Sequence, residues 1–107
     1  MELTYATPEI RSATNDAKAA QKMLGDSLAR SFRSLVADMR NAILLGEVPE
    51  VPVLGQADGK LVLNYPLGDS AVLVAEPIGT GVIDRSNWGD VHRVKLLRIL
   101  DKEKVLA

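Results

Sequence analysis

The sequence predicts an α+β domain: an N-terminal short strand, an antiparallel helical hairpin, and then a three-stranded antiparallel sheet. Between residues 8 and 45, apolar side chains recur every three or four positions, which is typical of amphipathic helices. From Val48 onward the pattern changes to short apolar runs separated by Pro and Gly, which is typical of strands and turns. A chain of 107 residues, 47% of them hydrophobic, is long enough for one domain with a single core, spanning residues 1–107.

The chain opens with a short strand and a first helix. Residues 1–6 alternate apolar and polar side chains, as a half-buried strand does. Thr7 is a suitable N-cap and Pro8 is favoured at the first helical position, so a helix is expected to begin there. Gly25 interrupts the helical pattern, which predicts a first helix over residues 8–24.

A second helix is expected over residues 27–45, antiparallel to the first because the break between them is so short. Gly46 and Pro49 forbid its continuation. Its apolar stripe is the strongest in the chain and consists of Leu28, Phe32, Leu35, Val36, Met39 and Ile43.

Three strands follow, at residues 60–65, 70–76 and 91–101, and the order of elements predicts a mainly antiparallel sheet with both helices on one face. The expected core includes Leu28, Phe32, Leu35, Met39, Val62, Leu73 and Leu96.

Composition excludes several classes of function. The chain has no cysteine and one histidine, His92, so disulfides, thiolate chemistry and an ordinary zinc site are excluded, and no cofactor is expected. The longest apolar run, residues 42–45, is far too short to span a bilayer, and no basic-then-apolar signal opens the chain; both indicate a cytoplasmic protein without a membrane partner. With a net charge of −1, the chain has only a weak electrostatic footprint for nucleic acid.

Four segments carry a resemblance to a known family. Leu73–Pro77 is a strand ending in Glu-Pro, and Trp88–Asp101 is a Trp followed by a long, half-basic strand that closes on Asp. Asp16–Arg30 and Val48–Pro52 are similar to a helical-hairpin turn and a Pro-rich connector in the same order. In these features the chain resembles, nearly end to end, the killer-type (HigB-like) toxins of the RelE/ParE superfamily.

The resemblance implies a toxin of a two-gene toxin–antitoxin system. Such toxins cut messenger RNA in the ribosomal A site and are silenced by a helix-turn-helix antitoxin, so mRNA, the ribosome and that antitoxin are the implied partners. The chemistry uses the 2′-OH of RNA as the nucleophile, a group that DNA lacks. The protein must help to remove that proton, protonate the leaving 5′ oxygen and stabilise charge on the phosphate.

The chain departs from the family pattern where that chemistry is expected. Asp101 falls at the position of the family's terminal Asp, but Lys102 and Glu103 replace the Tyr-His pair that follows it. Val72 stands where the family's strand usually carries an Arg. The resemblance therefore implies Asp101 and Lys102 as the candidate catalytic residues of an altered site. Since an ordinary Lys is a poor base at neutral pH, weak cleavage is expected.

Candidate RNA-binding residues are Lys60, Arg93 and Lys95. Arg93 and Lys95 alternate with apolar residues and so project from one face of the last strand, while Lys60 lies on a neighbouring hairpin strand. The simpler interpretation of Arg93 and Lys95 is a solvated strand face, and Asp101 is equally suited to ending the strand. Trp88 is expected to be a hydrophobic anchor. Tyr65 could be an edge residue, a core residue or an RNA contact, and the sequence does not distinguish among these roles.

Three functional interpretations stay open from the sequence. One is a ribosome-dependent mRNA endonuclease with an altered or weakened site. Another is a catalytically inactive toxin homologue that acts by binding protein, either its antitoxin or another target. The third is an unrelated α+β domain.

Overall fold

Six strands form one mixed sheet, and three helices pack on one of its faces, in the computed structural model, which describes residues 1–107. The strands are β1 (Glu2–Tyr5), β2 (Val53–Ala57), β3 (Lys60–Leu67), β4 (Ala71–Pro77), β5 (Arg93–Asp101) and β6 (Lys104–Val105). The helices are α1 (Pro8–Asn15), α2 (Ala17–Leu24) and α3 (Asp26–Asn41), and single 3-10 turns occur at Leu45–Glu47 and Trp88–Asp90.

The sheet has the order β1-β5-β4-β3-β2, and β6 pairs with the end of β5. The pairs β2–β3, β3–β4 and β4–β5 are antiparallel, whereas β1 runs parallel to β5. The predicted α+β class is confirmed, but the expected three-stranded sheet is wrong. The pattern missed β2, which is short, contains Gly55 and lies half-exposed at the sheet edge, so that it lacks a clear apolar alternation. None of the three helices has the length and apolar character that crossing a membrane requires.

The predicted helix 8–24 is two helices, because Asp16 adopts an extended conformation between them. The Asp16 carboxylate accepts a hydrogen bond from the backbone N–H of Lys18 at 2.9 Å and so caps α2. Just before the break, the hydroxyl of Thr14 donates to the carbonyl of Ile10 at 2.7 Å. Short polar side chains of this kind compete with the helical backbone for hydrogen bonds, and a run of them favours a break.

The second helix is displaced from its predicted bounds, since α3 begins at Asp26 and ends at Asn41 rather than spanning residues 27–45. The chain then becomes extended at Ala42, and the N-terminal ammonium donates to the carbonyls of Arg40 and Ala42 at 3.1 and 2.9 Å. Ile43, expected on the apolar stripe, therefore lies beyond the helix and is exposed.

The core lies between the helices and one face of the sheet. Most of the predicted core residues are fully or almost fully buried there, namely Phe32, Leu35, Met39, Leu73 and Leu96. Leu28, near the start of α3, is only half-buried. Val62 is buried but lies outside this cluster, because it alternates with Leu63 and points to the other face of the sheet.

The structure gives packing roles to Tyr65 and Trp88. Tyr65 is fully buried in the core, which decides among the three roles left open for it. Trp88 is half-buried against the core and lies in the second 3-10 turn. It lies against the other 3-10 turn, Leu45–Glu47, so closely that a Cβ placed on Gly46 would be 3.1 Å from the Cα of Gly89. The two turns thus close the end of the core beside Trp88.

Candidate nucleic-acid interface

The face of the sheet opposite the helices is open to solvent. Val62 and Val74 are buried there without belonging to the cluster that packs against the helices. Around them lie the charged side chains of this face, which are Glu2, Lys60, Glu76, Arg93, Lys95 and Arg98. We refer to this surface as the open face.

The structure brings the three predicted RNA-binding residues to one end of the open face. Strand pairing places Lys95 opposite Glu76 and Arg93 opposite Glu2. Lys60 reaches the same place from β3, with its Nζ 3.9 Å from Oε2 of Glu76. We call these five residues the open-face cluster: three cations interleaved with two carboxylates.

Two of the three cations in the cluster are ion-paired. Arg93 Nη2 lies 3.1 Å from Oε2 of Glu2 and donates a hydrogen bond to it, and Lys60 pairs with Glu76. Both cations are exposed, and surface pairs contribute only about 0–1 kcal/mol, so a phosphate group can displace the carboxylate at small cost. The cluster can therefore accept phosphates, but the carboxylates reduce its net attraction for them.

A fourth cation, Arg98, also lies on the open face and was not identified from the sequence. If side chains alternated strictly between the two faces from Arg93 and Lys95 onward, residue 98 would lie on the helix-facing side. The register between β4 and β5 shifts between Val74 and Ala75, so that Arg98 pairs with Val74 and faces outward. The adjacent apolar pair Leu96-Leu97 is the sequence signal of this bulge, since alternation fails there.

The candidate catalytic residues lie at the other end of β5. Asp101 accepts a hydrogen bond from the hydroxyl of Ser70 at 2.7 Å. Lys102 and Glu103 both have positive φ, 50° and 71°, and form the two-residue turn between β5 and β6. Eight residues of strand separate Asp101 from Arg93, which corresponds to roughly 25 Å.

The five predicted site residues therefore form two groups and not one constellation. Lys60, Arg93 and Lys95 are together, whereas Asp101 and Lys102 are at a hairpin turn at the far end of the strand. Nothing in this arrangement lets Asp101 act on a phosphate that is held by Arg93. The catalytic role of Asp101 and Lys102 stays a prediction.

Other titratable groups lie outside the open-face cluster. Burial raises the pKa of the Tyr65 hydroxyl, on the helix side of the sheet. Hydrogen bonds from the Ser86 hydroxyl and backbone N–H lower the pKa of Asp84, an exposed residue of the loop between β4 and β5. The structure contains no group of three or more His, Asp and Glu side chains placed to hold a metal ion.

Comparison of the chain with protein-family models, with curated proteins and with solved structures gives no match.

Proposed function

We propose that this protein is the toxin component of a type II toxin–antitoxin system, with a killer/HigB-like variant of the RelE/ParE fold, acting in the cytoplasm on ribosome-bound mRNA. The observation that supports this proposal most directly is the convergence of Lys60, Arg93 and Lys95 on a sheet face that no helix covers. The order of elements and the motifs at Leu73–Pro77 and Trp88–Asp101 support it independently.

In this proposal the open face holds the RNA backbone. Arg93 and Lys60 exchange their carboxylate partners for phosphates, and Lys95 and Arg98 extend the contact along β5. Binding of this type is sequence-independent and depends steeply on salt, because each neutralised phosphate releases counterions. Removing one of these cations is expected to lower the salt slope by roughly one unit.

Cleavage by such a site is expected to be weak. The groups available for proton transfer, Asp101 and Lys102, are roughly 25 Å from Arg93 along the strand. Asp101 is also engaged by Ser70. General acid–base catalysis needs the proton donor or acceptor within hydrogen-bond reach of the reacting oxygen.

The same separation favours a second function, that of a catalytically inactive homologue that acts by binding its helix-turn-helix antitoxin or another protein. In that case the open-face ion pairs stay intact and the buried Val62 and Val74 belong to a mainly structural face. Where the partner contacts apolar surface, such binding is much less sensitive to salt and depends on a few well-packed anchors.

Expression in cells that lack the antitoxin separates the two functions. The native chain is expected to arrest growth mildly and to leave a low level of cleavage in ribosome-bound mRNA. The double variant Arg93→Gln/Lys95→Gln is expected to abolish both effects, whereas the control Lys22→Gln, on the exposed surface of α2, is expected to leave them unchanged.

Growth arrest without mRNA cleavage, unchanged in the double variant, would support the protein-binding function instead. A native chain that neither arrests growth nor binds ribosomes or a neighbouring-gene antitoxin would contradict the toxin assignment altogether.

A further inference from the structure

A second cationic surface lies on the helical layer, away from the open face. It is a groove of about 500 Å³ between α3 and the junction of α1 with α2. Three arginines of α3 line it, Arg30, Arg33 and Arg40. Its floor consists of small or apolar side chains, Ala13, Ala17, Val36 and Ala37, with Thr14, Asn15 and Ser34 among them. We call it the arginine groove.

The arginines of this groove lack counter-charges. The two salt bridges of the chain are both on the open face, and no carboxylate lines the groove. Arg40 donates to the amide oxygen of Asn15 at 2.9 Å, which fixes the side chain without neutralising it. The carboxylate of Asp16, at the helix junction, is used to cap α2. The groove therefore presents three positive charges without an ion-pair partner, of which Arg30 also borders a neighbouring pocket that contains Asp38 and Glu50.

The break at Asp16 gives the groove its shape. Positions 30, 33 and 40 project from one side of α3, since seven residues correspond to almost two helical turns. Together they span about 15 Å along the helix axis. The opposite wall, at the junction of α1 and α2, is lined by Ala13, Thr14, Asn15 and Ala17, whose small side chains let another backbone approach closely.

We infer that the arginine groove binds an acidic, amphipathic segment of a partner protein, with its carboxylates on the arginines and its small apolar side chains on the small side chains of the floor. Guanidinium groups match carboxylates through paired, parallel hydrogen bonds, which favours Arg at such a site. Single-stranded RNA sites combine cations with aromatic side chains on which bases stack, and no aromatic residue lines this groove. The inference does not depend on the proposed RNA cleavage, because the groove and the open face share no residue.

The test uses the full chain and a fluorescein-labelled 16-residue peptide of Ala, Leu and Glu with four glutamates along one helical face. A peptide with Gln in place of each Glu is the matched control ligand, and a 12-nucleotide single-stranded RNA is the competitor of different class. Fluorescence anisotropy gives the affinity, and amide NMR shifts locate the contact. The acidic peptide is expected to bind, with shifts concentrated in residues 13–17 and 30–40, and the Gln peptide is expected not to bind.

Arg33→Gln is expected to weaken peptide binding on the order of tenfold, as expected for one charged hydrogen-bonding partner. Arg98→Gln, which removes one charge from the open face, is the control and is expected to change the affinity less than twofold. Equal loss in the two variants would mean that the effect is net charge alone and would overturn the inference. Absence of shifts in the groove at millimolar peptide would overturn it, as would RNA binding that is tighter and that depends on Arg33.

Discussion

Replacing Phe32 with alanine tests whether α3 faces the sheet as described. Phe32 is the only phenylalanine, lies in the middle of α3 and is fully buried in the cluster between helices and sheet. A Phe→Ala change at such a position costs about 3–5 kcal/mol, through lost transfer free energy and the cavity left behind. A domain of this size has a free energy of unfolding of only about 5–15 kcal/mol, so the variant would be close to its stability limit.

This loss of unfolding free energy corresponds to a decrease in melting temperature. With an unfolding entropy of about 2 cal/mol/K per residue, each kcal/mol lowers the Tm of a chain of this length by about 4–5 °C. Phe32→Ala is thus expected to lower the Tm by roughly 13–22 °C. Urea denaturation followed by the fluorescence of Trp88, the single tryptophan, measures the same loss as a free energy.

The neighbouring residue provides a matched control. Arg33 is exposed on the same helix, and Arg33→Ala is expected to change the free energy of unfolding by no more than about 0.5 kcal/mol. Phe32→Leu, which keeps most of the volume, is expected to cost less than about 1.5 kcal/mol. If Phe32→Ala and Arg33→Ala had equal melting temperatures, the orientation of α3 argued above would be wrong.

Two further predictions concern the core and its end. Tyr65→Phe is expected to raise the free energy of unfolding by up to about 1 kcal/mol, because the buried Tyr65 hydroxyl has no hydrogen-bond partner in the protein. Because burial raises the pKa of Tyr65 above that of the unfolded chain, the native protein keeps its stability below about pH 10. It then loses stability as the pH rises further, a loss that thermal melts should show to be smaller in Tyr65→Phe. Gly46→Ala is expected to lower the free energy of unfolding by about 1–3 kcal/mol and to alter the fluorescence of Trp88, because the new Cβ would press on the backbone of Gly89. An unchanged melting temperature would mean that the two 3-10 turns are not in contact.

The sequence predicted the elements whose burial is periodic. Phe32, Leu35 and Met39 are on one side of a helix because their spacing follows the helical repeat, and the structure buries all three. The break at Asp16 could not be placed by that criterion, because the alanines on either side of it continue the apolar period. Local competition between side-chain and backbone hydrogen bonds decides the break, and it leaves no trace in hydrophobicity.

The candidate site was predictable to the same extent. Alternation along a strand placed Arg93 and Lys95 on one face, and the structure brings the third predicted residue, Lys60, to the same face beside Glu76. Alternation failed at the bulge, which hid Arg98. Asp101 and Arg93 lie on the same strand but at its opposite ends, because positions in one strand are separated in space in proportion to their separation in sequence.

The two cationic surfaces differ in what an anion must displace. On the open face, a phosphate competes with Glu2 for Arg93 and with Glu76 for Lys60, so its gain in Coulomb energy is offset by the ion pair that it breaks. In the arginine groove, Arg30 and Arg33 have no such partner, and an incoming carboxylate relieves the repulsion between neighbouring guanidinium groups. The chain as a whole has a net charge of −1, but its cations are distributed over two different surfaces. The open face is already partly neutralised by ion pairs, and the arginine groove is not. Because the second surface is shaped for a protein segment, attraction to a protein partner is expected to exceed attraction to bare RNA, and both should weaken as salt screens the charges.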